Sequence, residues 1–74
     1  MEVKVKLFGD LREGRFEEEQ TQIEENSRVI DIINKHNLPL EKVAICMVNS
    51  RVVEFNQVLQ NQDTVAISPS VGGM

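Results

Sequence analysis

The sequence predicts a two-layer α+β domain, a mixed sheet of four to five strands with one helix packed on one face. Three observations predict it. Residues 2–8 alternate, with Val3, Val5 and Leu7 on one face and Glu2, Lys4 and Lys6 on the other, which is the period of a half-buried strand. Residues 27–37 set Val29, Ile32, Ile33 and His36 along one face of a helix. Two further apolar runs, 43–48 and 64–68, have the length of strands. The helix and the sheet each have one apolar side to hide, so each covers the other.

The elements follow in chain order. Phe8 breaks the first alternation by placing a large apolar group on the polar face; Gly9-Asp10 reads as a turn, with Gly14 in the same loop. Residues 16–24 are expected to form a second strand, because the first would otherwise keep a lone edge. Glu17, Glu18 and Glu19 argue against its burial and suit a position near Lys4 and Lys6. Ser27 reads as the helix N-cap. Asp31 lies near the positive end of the helix dipole and Lys35 near the negative end. Asn37 suits the left-handed residue that ends a helix, and Pro39 stops its continuation. In 43–48 both faces are apolar, Val43, Ile45 and Met47 against Ala44, Cys46 and Val48, which predicts an interior strand. Asn49-Ser50 reads as a turn, 51–53 as a short return strand, and Asn61-Gln62-Asp63 as another turn. The last strand carries Val65 and Ile67 inward, and Pro69 is expected to end it. Residues 1–74 then form a single domain in which 69–74 is a flexible C-terminal tail.

Composition narrows the function. A chain of 74 residues buries only about 60% of its unfolded surface, so a core and a deep interior active site compete for the same residues. That favours a carrier, a binding module or a subunit over an enzyme. The chain is acidic, with 12 Asp and Glu against 8 Lys and Arg and a pI near 4.8. It holds no Lys and Arg cluster of the kind that meets nucleic-acid phosphates. No apolar run approaches the roughly 20 residues of a membrane span, and the start Met1-Glu2-Val3-Lys4 lacks the pattern of a signal peptide. A cytoplasmic protein without nucleic-acid or membrane partners is expected. One cysteine, Cys46, and one histidine, His36, allow no internal disulfide and supply no N/S metal-ligand set.

Val5-Lys6-Leu7-Phe8 followed by Leu11-Arg12-Glu13 resembles the first strand and loop of the molybdopterin-synthase small subunit. Val48-Asn49, Leu59, Asp63-Thr64-Val65-Ala66-Ile67, Pro69 and Gly72-Gly73 resemble its second half, and equally the sulfur carriers of thiazole biosynthesis. Asn37-Leu38-Pro39-Leu40-Glu41-Lys42-Val43 is more similar to the thiazole type. The joint order and spacing cover nearly the whole chain, whereas Gly-Gly alone is a common dipeptide.

This resemblance to the MoaD/ThiS-like ubiquitin-like sulfur carriers implies a β-grasp fold and a carrier role. It implies that the carboxylate of Gly73, next to Gly72, is adenylated by a ubiquitin-activating-type adenylyltransferase that uses ATP, and that sulfur then displaces AMP to give a thiocarboxylate. The carrier itself binds no cofactor. Its further partner would be the large subunit of molybdopterin synthase or thiazole synthase. An extended segment spans at most ~3.3–3.6 Å per residue, so 69–73 can project its end by roughly 17 Å. Glycines at 72 and 73 can thread a narrow passage because they carry no side chain. The plain alternative is a frayed terminus that happens to hold two glycines.

Met74 departs from that pattern, since Gly73 has no free carboxylate while Met74 follows it. Removal of Met74 by a processing peptidase is the expectation; activation at Met74, or loss of the carrier role, are the rivals. Ser68-Pro69-Ser70-Val71 also replaces the family's usual double-proline approach.

Phe8 and Arg12 match family positions that meet the partner, and Leu59, Pro69 and Val71 are read with them as partner-binding. Each has a plainer reading: Phe8 as the cap of a small core, Arg12 as a solvated charge, Leu59 as core. Phe55 is similarly open. Cys46, mid-strand among apolar neighbours, is expected to be an inert core thiol, and His36 to rest over the core edge with one nitrogen wet. The glutamates at 17–19 read as a solvated face or as an acidic patch for a basic activating enzyme. Besides the sulfur carrier, two other functions fit: a protein modifier conjugated through Gly73, and an interaction domain with an inert tail.

Overall fold

The computed structural model describes residues 1–70. In chain order they form β1 (Glu2–Leu7), β2 (Glu18–Gln22), α1 (Val29–Lys35), β3 (Val43–Val48), β4 (Arg51–Val53) and β5 (Thr64–Pro69), with short 3-10 turns at Gly9–Arg12 and Leu40–Lys42. The five strands make one sheet in the order β2-β1-β5-β3-β4. β1 and β5 run parallel, and the other neighbours run antiparallel. The expected mixed sheet with one helix is therefore present, at five strands.

Alternation decides which residues face α1. Val3, Val5 and Leu7 of β1, Val65 and Ile67 of β5, and Cys46 and Val48 of β3 meet Val29, Ile32 and Ile33 of α1 in one core. Burying a side chain of this size contributes about 1.5–3 kcal/mol, so these residues supply most of what a small domain can gain. The Lys4 and Lys6 ammonium groups lie 3.5 and 4.0 Å from the Glu18 carboxylate on β2, which is the cross-strand placement expected for that strand. These pairs are partly solvated and contribute little.

The helix begins differently from the sequence expectation. Ser27 is not its N-cap: its hydroxyl donates to the Glu24 carbonyl at 2.6 Å and so closes the preceding turn. The cap position falls on Arg28, whose N–H donates to the Asp31 carboxylate at 2.8 Å. The next two orphan donors go to another segment, Val29 N–H to the Gln57 carbonyl and Ile30 N–H to the Phe55 carbonyl. A helix of seven residues is too short to persist alone, and this backbone docking together with its buried face holds it. Its end matches expectation. Asn37 has φ +55°, the Leu38 N–H reaches the Ile33 carbonyl and the Asn37 N–H reaches that of Asn34, which is the paired pattern of a Schellman motif.

Two features shape the half of the sheet near β4. Val48 pairs with Arg51 across the two-residue turn Asn49-Ser50, and both turn residues have positive φ, 52° and 72°, as a type I′ hairpin requires. The Asn49 side chain accepts the Thr64 N–H and donates to Asp63, each at 2.9 Å, and so ties the hairpin to the start of β5. A register shift between Val43 and Ile45 leaves Ala44 as an extra residue; this bulge lets Val43 and Cys46, three apart, both turn inward.

β5 does not stop at Ser68. Pro69 belongs to the strand and pairs with Val43, and the Ser70 N–H donates to the Lys42 carbonyl at 3.2 Å. Alternation along β5 aims the side of Pro69 that lacks an N–H toward β1, where the last pair is Leu7 with Ile67. No ladder bond is forfeited there. Residues 69 and 70, read from the sequence as tail, are thus fastened to the sheet.

Candidate functional site

The C-terminal end of β5 is the site to build from, since it delivers the chain toward Gly72 and Gly73. Gly72, Gly73, Val71 and Met74 lie outside the described residues.

Around that end the loop after β1 folds back. Phe8 keeps an extended backbone, φ −124° and ψ 161°. It follows the buried Leu7 and so falls on the face opposite α1, 45% exposed. Its N–H donates to the Ile67 carbonyl at 3.2 Å, which holds it beside β5. Leu11 is buried in the core and pins the 3-10 turn, leaving Arg12 outside, 3.7 Å from Glu17 in an exposed and therefore weak pair. Phe8 and Arg12 are exposed and Pro69 is partly so, and the Phe8 backbone bond to Ile67 sets Phe8 beside the strand end. Leu59 does not join them. It is 2% exposed inside the core, with its N–H on the Ser27 carbonyl, so the core reading replaces the partner-binding one. Phe55 is half-buried against the same core.

One residue that the sequence reading passed over organises this loop. The Arg15 guanidinium donates to the Leu11 carbonyl at 3.1 Å and to the Asn37 carbonyl at 3.3 Å, joining the 3-10 turn to the end of α1. Phe16 completes the junction by meeting the His36 ring edge-on, with centroids 4.9 Å apart. His36 Nε2 lies 3.4 Å from the hydroxyl of the buried Thr21, and burial lowers the pKa of the imidazole from its ordinary 6.5. Cys46 is buried, which pushes its thiol up to about 11; a thiol this protonated at neutral pH is a poor nucleophile. Among the described residues no His, Cys, Asp and Glu cluster could hold a metal ion, and no helix is long and apolar enough to cross a membrane.

The second feature missed from sequence is the face of the sheet that α1 leaves uncovered. Residues directly opposite in register share a face. Lys6, Ala66, Met47 and Val52 form one row across β1, β5, β3 and β4. Ser68 and Ile45 lie in the next row, with Phe8 at its β1 end. The β2–β1 half of this face is charged. The β3–β4 half is apolar, with Ile45 47% and Val52 71% exposed. The two apolar faces of 43–48 match the interior place of β3 between β5 and β4, but an interior strand can still leave one face open. An exposed apolar row that runs to the base of the C-terminal segment is the kind of surface that marks a protein contact.

Known proteins agree with this geometry. SAMP1 of Haloferax volcanii superposes with a TM-score of 0.76 over 100% of both chains at 20% identity. Subunit 1 in the complex of subunits 1 and 2 of the molybdopterin-converting factor from Helicobacter pylori 26695 superposes at 0.68, with 96% of each chain covered and 19% identity. At those identities the likeness concerns the fold, which is the ubiquitin-like β-grasp. A putative molybdopterin converting factor, subunit 1, from Pyrococcus furiosus is 30% identical, with a TM-score of 0.78 over 96% of this chain and 99% of that one. The ThiS family model matches residues 5–73, and the chain belongs to the ThiS family. No curated protein sequence matches it.

Proposed function

We propose that the protein is a sulfur carrier whose Gly73 carboxylate is adenylated and converted to a thiocarboxylate, for sulfur donation in molybdopterin or thiamine-thiazole biosynthesis. The observation that carries this reading is that the family match runs through to Gly73 and leaves Met74 outside it, on a fold whose last strand runs beside an exposed Phe8. The carrier needs no general base or metal of its own. A carboxylate oxygen attacks the α-phosphorus of ATP on an activating enzyme, pyrophosphate leaves, and the acyl-adenylate forms. A sulfide-level nucleophile then adds to the acyl carbon, AMP departs with the C–O bonding pair, and the thiocarboxylate remains. Cleavage of the Gly73–Met74 bond by a peptidase comes first, because only that frees the carboxylate.

The partners follow from the steps: the processing peptidase, the cytoplasmic adenylylating enzyme, and the large subunit that takes the sulfur. Phe8, Arg12 and the apolar row through Ile45 and Val52 are the surface they grip. The test is ATP–pyrophosphate exchange by the adenylylating enzyme of the same organism. A chain ending at Gly73 supports exchange; a chain that retains Met74, or that lacks residues 72–74, does not. Equal exchange with all three chains, or none with any, overturns the reading. A protein modifier shares this step and differs afterwards, in that Gly73 becomes bonded to lysines of other proteins.

A further inference from the structure

The loop after β1 holds two glycines in the left-handed region, Gly9 at φ +58° and Gly14 at φ +70°, and their surroundings differ. A Cβ at Gly14 would meet nothing within 4 Å. A Cβ at Gly9 would lie 2.6 Å from Pro69 Cγ and 3.3 Å from Cδ, closer than atoms approach without one of them moving. The proline ring can pucker but cannot swing away as a longer side chain would. One residue on, the Ser70 N–H is fastened to the Lys42 carbonyl. The last described residues are therefore held from two sides, by Gly9 against the Pro69 ring and by Lys42 at Ser70.

We propose that Gly9 is a positioning residue for the C-terminal segment: the space left by its missing side chain seats the Pro69 ring and fixes the heading at which the chain passes Ser70. The consequence for sulfur chemistry rests on the proposed function. Gly9 directly follows Phe8, whose N–H is bonded to Ile67, so a partner that grips Phe8 also locates the point where the chain leaves β5. The heading matters because the reacting carboxylate is several residues farther on. Four residues reach at most about 14 Å, so a change of about 20° at Pro69 can carry their end by up to roughly 5 Å. Reacting groups tolerate only about 1 Å of misplacement before rates fall.

The two glycines supply their own control. Gly9→Ala and Gly14→Ala both force an alanine into positive φ, and each is expected to lower Tm by about 4–8 °C. Only Gly9→Ala also displaces the Pro69 ring, and Pro69→Ala removes the two ring atoms that clash. Two measurements on chains ending at Gly73, made well below every Tm, decide the matter: NMR amide exchange at Ser70, and kcat/KM for ATP–pyrophosphate exchange. Gly9→Ala is expected to speed exchange of the Ser70 amide about tenfold and to lower kcat/KM about tenfold, while Gly14→Ala changes either by less than about twofold. The Gly9→Ala/Pro69→Ala double variant should match Pro69→Ala within about twofold, the non-additivity of two groups in contact. Indistinguishable effects of the two glycine variants, or a double variant whose loss is the product of the two single losses, would overturn the proposal. Absence of pyrophosphate exchange on the wild-type chain overturns the proposed function instead, and the Ser70 amide then decides the seating of Pro69 by itself.

Discussion

The two faces of β3 carry similar residues and meet different fates. Cys46 and Val48 turn toward α1 and are 1% and 9% exposed; Ile45, on the other face of the same strand, is 47% exposed, and Val52 on β4 is 71% exposed. Among the described residues a single helix of seven residues covers one face and leaves the other open. An apolar residue in a small two-layer domain is therefore of two kinds. Facing the helix it stabilises the fold; facing away it adds little to stability and is available to another protein.

The two kinds of residue should respond differently to substitution. Ile32→Ala, on the covered side, is expected to cost about 2–5 kcal/mol in urea unfolding. Ile45→Thr and Val52→Thr keep β-branching on the open side and should each stay within about 0.5 kcal/mol of wild type, while weakening binding to the adenylylating enzyme in calorimetry. A large stability loss from either threonine variant would place that face inside the fold. Next in size, Asn49→Ala removes the two side-chain bonds that tie the β3–β4 hairpin to Asp63 and Thr64, for an expected loss of about 1–2 kcal/mol. Ser50→Gly tests the same turn in the opposite direction. Glycine accepts φ +72° without a Cβ penalty, so a gain near 1 kcal/mol is expected from the unfolding midpoint.

The smallest effect is one of pH. Burial lowers the pKa of His36 in the folded state, so below 6.5 the unfolded chain binds more protons than the folded one. The contribution to stability is complete above that value and is lost as pH falls toward the folded pKa. His36→Gln should remove that part of the slope, which unfolding curves collected from neutral to mildly acidic pH would show. An unchanged slope would mean that the imidazole is solvated and the Phe16 contact is loose.

Much of this was legible in the sequence because it follows from period. Val3, Val5 and Leu7 announce one strand, Val29, Ile32 and Ile33 one helix face, and Asn37 its end. What could not be read depends on contacts distant in sequence. Ser27 is a good cap by type, yet its hydroxyl is used by Glu24, and the helix N–H groups are met by Gln57 and Phe55. Two apolar faces on 43–48 signal burial only if something covers both, and coverage is a property of the whole fold. Leu59 shows the converse, an apolar residue in a polar stretch whose expected place in the core the fold bears out. Pro69 ends a strand when its missing N–H faces a partner; here it faces the place where β1 has ended. Arg15 left no trace in the pattern, since its role lies in two carbonyl oxygens brought near by folding.

A sulfur carrier of this kind requires that Gly73 become a sulfur-bearing terminus. The intact mass of the protein isolated from its own cells tests it most directly. The expected species has lost Met74, and a fraction of it carries sulfur in place of one carboxylate oxygen and loses it on mild hydrolysis. A chain that keeps Met74 under every growth condition and never bears the extra sulfur would contradict it, and would leave the apolar face of the sheet as the working surface of an interaction domain.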